Sequence, residues 1–167
     1  IRELSALGYQ VIEQKTLGAR TWVPNYHTAG PVRNIMVKVP GTKNRGAILF
    51  MAHYDSVPTG PGGNDDAAAV AAMMEALWVM KHLQPRENDL IFLFTDGEEA
   101  GLLGASAFFR EHPWRDDVRV VVNFEAREGG GPTTLLETGP GNLDAMRSYL
   151  AAARYPTGNS LTHEVYY

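Results

Sequence analysis

The sequence predicts an α/β domain with a mixed, mainly parallel central sheet and helices on both faces. Three observations predict it: short apolar runs that suit buried strands, apolar stretches of helical length between them, and Gly- or Pro-rich breaks at the junctions. A run such as Ala47-Ile48-Leu49-Phe50-Met51-Ala52 is apolar on both sides, which places it inside a sheet covered on both faces. With 167 residues, 44% of them hydrophobic, the chain can bury one sizeable core, so residues 1–167 are expected to be one domain.

Leu4, Leu7 and Val11 recur at near-helical spacing around Gly8, predicting the tail of a helix that leads into an extended segment. Ile35, Val37 and Val39 alternate with Met36 and Lys38, which predicts a strand over 34–39. The turn residues of 40–44 separate it from the strand over 47–52, and so short a connection predicts that the two pair as a hairpin. Residues 56–64 form a loop, after which Asp65 or Asp66 occupies the N-cap position of a helix over 67–83 that Pro85 ends. Further strands are expected over 90–94, 118–124 and 133–137. Helices follow Gly104 and run over 143–153, the first of them closed by Pro113.

Composition excludes several functions. A net charge of −4 provides no basic stripe, so no nucleic acid partner is expected. Cysteine is absent, which removes disulfides, thiolate metal sites and thiol nucleophiles together. The longest apolar run, about 67–80, contains Glu75 and falls short of the roughly 20 residues that span a bilayer, so this segment is expected to make no membrane contact. The start lacks both Met and an apolar leader, and reads as a piece of something longer. Its location stays open: a soluble domain, extracytoplasmic or carried by a membrane-anchored parent.

Chemistry-bearing residues gather at the strand ends. His53 and Asp55 follow the 47–52 strand, Asp96, Glu98 and Glu99 follow the 90–94 strand, and Glu125 ends the 118–124 strand. Asp65 and Asp66 begin the helix between the first two. In such sheets ligands collect beyond the carboxyl ends of the strands. Carboxylates this close raise one another's pKa, and a divalent cation resolves the conflict. Histidine and carboxylate without thiolate suit zinc, and an excess of acids over nitrogens suits a bridged pair of ions. One of Glu98 and Glu99 can then reach metal and the other a water, while Asp55 can accept the proton on the second imidazole nitrogen of His53. Singly, His-x-Asp, Asp-Asp and Glu-Glu are weak signals that read as a turn or a cap. Their joint placement carries the argument.

Four ordered motifs sharpen it: His53-Tyr54-Asp55-Ser56-Val57-Pro58; Pro61-Gly62-Gly63-Asn64-Asp65-Asp66; Thr95-Asp96-Gly97-Glu98-Glu99-Ala100-Gly101-Leu102-Leu103-Gly104; and Asn123-Phe124-Glu125-Ala126-Arg127 with Gly131-Pro132. Together they resemble the M28 family of zinc aminopeptidases. His112-Pro113-Trp114 and Glu137-Thr138-Gly139 resemble its branch of endomembrane proteases. The resemblance implies that His53 and Glu125 bind one zinc, that Glu99 binds a second and that Asp65 bridges both. It implies Glu98 as general base, Asp55 as orienting acid, a cis peptide at Asp65-Asp66 and a peptide as substrate.

Two departures stand out. Glu128 replaces the glycine usual in this branch, and the chain ends before the family's Tyr-His segment that supplies the last ligand. His163 is a poor substitute, since it resembles a stretch outside that segment; His27, expected in a loop, His82 and His112 read as structural or solvated. The expectation is therefore two zinc ions in a complete domain but one or none tightly bound by this stretch, with an exposed sheet edge open to dimerisation. The alternatives are a one-zinc amidohydrolase or cyclase of the same fold, and a catalytically silent binding domain.

Overall fold

The computed structural model describes residues 1–43, 45–125 and 133–158. The chain divides into two units, Ile1–Arg127 and Glu128–Tyr167. The first holds helix α1 (Arg2–Ala6), strands β1 (Val11–Val23), β2 (Tyr26–Val39) and β3 (Ala47–His53), helix α2 (Ala68–Met80), strand β4 (Asp89–Thr95), helix α3 (Leu103–Glu111), a short 3₁₀ turn (Pro113–Asp117) and strand β5 (Val118–Asn123). The second, by itself, holds a two-stranded parallel ladder of β6 (Thr134–Leu135) and β7 (Thr157–Gly158), with helix α4 (Leu143–Ala152) between them in sequence.

The five strands of the first unit lie in the order β1-β2-β4-β3-β5. β4-β3-β5 are parallel, whereas β1 with β2 and β2 with β4 are antiparallel. The apolar runs alternate their side chains between two cores, as a doubly covered sheet requires. Phe92, Leu90 and Phe94 of β4 join Ala52 and Val37 against Met73 and Leu77 of α2. Ile91 and Leu93, on the other face, join Leu49, Ala47 and Met36 against Phe108 of α3.

Three local expectations are corrected. The strands over 34–39 and 47–52 are not neighbours, because β4 lies between them. The connecting segment bonds instead to the residues entering β4: Thr42 N donates to Arg86 O at 2.8 Å, Lys43 N to Glu87 O at 2.9 Å and Gly41 N to the Asp89 carboxylate at 2.7 Å. Those bonds carry the chain across the end of β4. Neither Asp65 nor Asp66 caps a helix; α2 begins at Ala68 behind Ala67, and both acids have non-helical backbones (φ −106°, ψ 91° and φ −129°, ψ 31°). His27 lies in β2, paired with Thr21 of β1, whose hydroxyl is 2.8 Å from its Nδ1. His163 and Glu128 lie outside the described residues.

Asn34 ties β2 to the segment after β4. It is buried; its amide nitrogen donates to Gly104 O at 2.8 Å and Gln14 Oε1 at 2.9 Å, and its Oδ1 accepts from Asp96 N at 3.1 Å. Asn34→Ala removes the acceptor of Asp96 N and the ties to Gly104 O and Gln14, and a buried group left unpaired costs about 1–3 kcal/mol. We expect urea denaturation to show a lower midpoint at unchanged slope, with a total loss of about 2–4 kcal/mol.

Candidate metal centre

Parallel register places the strand ends together. His53 pairs with Thr95, so Asp96 begins one residue past the ladder. On the other side Met51 pairs with Asn123 and the N–H of Phe124 donates to Met51 O at 2.9 Å, which brings Glu125 level with His53. All three strands run the same way, so one rim of the sheet collects the side chains that follow them.

His53 is the hub of that rim and is buried. Its Nε2 lies 2.9 Å from Asp65 Oδ1, 3.7 Å from Glu125 Oε1 and 4.0 Å from Glu98 Oε2. His53, Asp65 and Glu99 each offer one donor atom to a common point, those atoms lying within 4.8 Å of one another. The Asp65–Asp66 peptide is cis. Thus His53, Asp55, Asp65, Glu98, Glu99 and Glu125 all stand at the carboxyl edge of β3, β4 and β5.

Asp55 sits differently from the expectation. His53 Nδ1 is 3.0 Å from the backbone carbonyl of Asp55 and 3.6 Å from its carboxylate, too far for a hydrogen bond to the latter. The carboxylate instead accepts the backbone N–H groups of Glu98 at 3.0 Å and Glu99 at 3.1 Å. The reason is geometric: the turn that begins after β4 presents two adjacent N–H groups toward the neighbouring strand end, and a carboxylate accepts both. Asp55 therefore fixes the backbone that carries both glutamates.

Three contacts are not read from the sequence. Asp66, buried, accepts the backbone N–H of His53 at 3.2 Å through Oδ2, while its Oδ1 is buried without a hydrogen-bond partner among the described residues. Tyr54 O–H donates to Arg33 O at 2.5 Å, and Arg33 N donates to the Asp96 carboxylate at 2.9 Å, fastening β2 to both strand ends. The pair Arg33 and Asp96 is far apart in sequence, so no local pattern announces it.

Electrostatics follow from the crowding. Burial pushes the Asp66 carboxyl up to about 7, helped by the charges of Glu125 and Asp65 and opposed by His53. Burial likewise raises Glu98, with Glu125, Glu99 and Asp55 adding to it and the His53 charge opposing. Burial alone would lower the His53 imidazolium, but the Glu98 charge, the hydrogen bond to the Asp55 carbonyl and the charges of Asp66 and Glu125 overcome it and the net shift is upward. Tyr54 is pushed up to about 12 by burial and by Asp96. The imidazole of His53 with the carboxylates of Asp65 and Glu99 beside it, in a crowd of acids where Asp66 and Glu98 are held above their ordinary values, forms a donor set that fits a divalent cation such as zinc.

The fold and this rim define a metallohydrolase-like α/β domain. Residues 34–167 match Peptidase family M28, and the chain belongs to that family. Endoplasmic reticulum metallopeptidase 1 of Mus musculus is 36% identical over 137 residues, covering 81% of this chain and 15% of the relative. Vacuolar membrane protease of Saccharomyces cerevisiae is 37% identical over 137 residues, covering 80% of this chain and 14% of the relative. The chain thus spans about 15% of the length of such relatives. Among solved structures, a zinc aminopeptidase from Bacillus subtilis is similar at 30% identity and TM-score 0.51, over 56% of this chain and 24% of that one. Glutaminyl cyclase of Porphyromonas gingivalis shares the fold at TM-score 0.66 and 20% identity, over 95% of this chain and 63% of that one.

Raised acids set a sign for stability. Between the ordinary carboxyl value and about 7 the folded state keeps the Asp66 proton that the unfolded chain has released, so stability falls as pH rises through that window. His53, also raised, contributes stability that is full below its unfolded value and lost as pH rises past its folded one, in the same direction. In the presence of a chelator, thermal unfolding is expected at a lower temperature at pH 8 than at pH 5.5, and Asp66→Asn should flatten the slope. A chelated protein that gains stability over that range contradicts this account.

Proposed function

We propose that this domain is the metal-binding core of a zinc aminopeptidase that removes N-terminal residues from peptides at a co-catalytic centre of two ions. The observation that carries the reading is the hub geometry, in which His53 Nε2 faces Asp65, Glu125 and Glu98 within 4.0 Å. The similarity to a zinc aminopeptidase supports it. In this reading His53 and Glu125 would hold one zinc, Glu99 would hold the other and Asp65 would be shared between them. Zinc bound there would polarise the scissile carbonyl and acidify a water.

The remaining work belongs to the chain's own side chains. Glu98, whose pKa burial raises toward neutrality, takes the proton from the attacking water and returns it to the departing amine nitrogen. Asp55 holds the backbone on which Glu98 and Glu99 stand, so base and ligand keep a fixed separation. Asp66 fixes the strand end under His53 through its backbone N–H. The concentration of carboxylates on the rim would attract the free amine of a peptide, which favours an N-terminal residue over an internal one. We infer a parent protein associated with an internal membrane, as the names of its relatives suggest; among the described residues no helix is long and apolar enough to cross a membrane.

Two substitutions separate base from ligand. Glu98→Ala is expected to keep bound zinc and lose about 10²–10⁴ in kcat, as removal of a general base does. Asp65→Ala is expected to lose zinc, measured by metal analysis after gel filtration. Equal zinc loss in both variants would show that base and ligand have been interchanged.

A further inference from the structure

The turn that carries Glu98 and Glu99 is held on its second side by the β1–β2 hairpin. Within the turn, Glu98 O accepts from Gly101 N at 2.8 Å and Leu102 N at 2.7 Å, while Leu103 N donates to Gly97 O at 2.9 Å. Gly101 adopts φ +118° and its Cα faces the hairpin without any gap for a side chain. A Cβ there would lie 2.7 Å from Thr28 Oγ1, 3.0 Å from Trp22 Nε1 and 3.3 Å from Trp22 Cζ2. Two residues along the same turn stands Glu99.

The hairpin itself is firmly placed. Gly18 lies so close to α3 that a Cβ there would stand 2.7 Å from Leu103 Cβ. Ser106 Oγ donates to Ala19 O at 2.6 Å, and Arg110 Nη2 to Leu17 O at 2.6 Å. The guanidinium of Arg20 lies 3.8 Å over the Trp22 ring, which helps to fix the indole plane. Trp22 nonetheless remains 42% exposed, more than a ring recruited for core burial alone would be. The Thr28 hydroxyl is buried against Gly101 without a hydrogen-bond partner among the described residues, so that contact is steric, and it survives because the turn cannot move away.

We propose that Trp22 is a positioning residue for the metal centre: with Thr28 it forms a slot that seats Gly101 and so sets where the Glu99 and Glu98 carboxylates stand. Asp55 fastens the same turn from the opposite flank through the N–H groups of both glutamates. The turn is clamped between an electrostatic contact and a packing contact. Loss of either lets the carboxylates drift, and displacements of about 1 Å are enough to cost on the order of 10²-fold in a catalytic step.

The inference rests on Glu99 being a zinc ligand, so the test carries that variant beside it. Zinc affinity is measured in the full-length protein by competition with a chromophoric chelator, alongside thermal unfolding in excess chelator. Trp22→Ala is expected to weaken zinc about tenfold, within the range known for groups that orient ligands. Its unfolding temperature without metal should stay close to that of the parent, and Trp22→Phe should restore most of the affinity. Gly101→Ala, which fills the slot from the other side, should also weaken zinc, and adding Trp22→Ala to it should cost less than Trp22→Ala costs alone. Unchanged affinity in Trp22→Ala, or strict additivity with Gly101→Ala, overturns the proposal while Glu99→Ala still loses zinc. If Glu99→Ala binds zinc as the parent does, the ligand assignment fails first and the proposal falls with it.

Discussion

Everything at the candidate site depends on the parallel register of β3 between β4 and β5. That register, and no local motif, brings His53, the turn after Thr95 and Glu125 to one level of the sheet. The strands are held in it by the two cores they separate, since a one-residue slip would exchange the side chains facing α2 with those facing α3. Burial energy on both faces thus fixes the position of polar groups at the edge. The precision of the site is inherited from apolar packing some distance below it.

The same edge stores an electrostatic conflict. Asp65, Asp66, Glu98, Glu99 and Glu125 surround a single imidazole, and burial drives Asp66 and Glu98 upward where an isolated carboxyl would ionise freely. A domain selected for stability alone would place apolar side chains there. Retaining the acids makes sense when a divalent cation balances them, because binding then requires the deprotonated form and repays the crowding. Around this cluster the backbone is tied by neutral and charged acceptors: Asp66 beneath His53, Asp55 beneath the two glutamates, and Asn34 between β2 and the segment after β4. These contacts let like charges stay close without the turn unravelling.

Much of this was legible in the sequence, for physical reasons. β3 and β4 are continuous apolar runs because both faces are covered, and such runs are hard to mistake; β5, at the edge, still shows Val118, Val120, Val121 and Val122. The acids that follow them could be read as one rim from that fact alone. β1 was legible only as an extended segment after the first helix, since it is an edge strand whose polar Glu13, Gln14, Lys15 and Arg20 break any apolar pattern. The expected pairing of β2 with β3 failed because a short connection shows that two ends are near, and not that the strands share a ladder; β4 inserted between them through bonds that span the sequence. Asp65 and Asp66 matched a capping pattern, yet their backbones serve the site and leave the helix to start at Ala68. The carboxylate of Asp55 was assigned to the imidazole on proximity in sequence, whereas two N–H groups from another strand end compete for it and win.

The central claim is that His53 is the nitrogen donor of a zinc centre completed by strand-end carboxylates. Anomalous diffraction at the zinc edge, from crystals grown with zinc, tests it most directly. The account predicts a peak bonded to His53 Nε2, to Glu125 and to an Asp65 oxygen, with Glu99 facing Asp65 from the other side. Zinc bound elsewhere on the protein, with the His53 imidazole still hydrogen-bonded to Asp65, would contradict it.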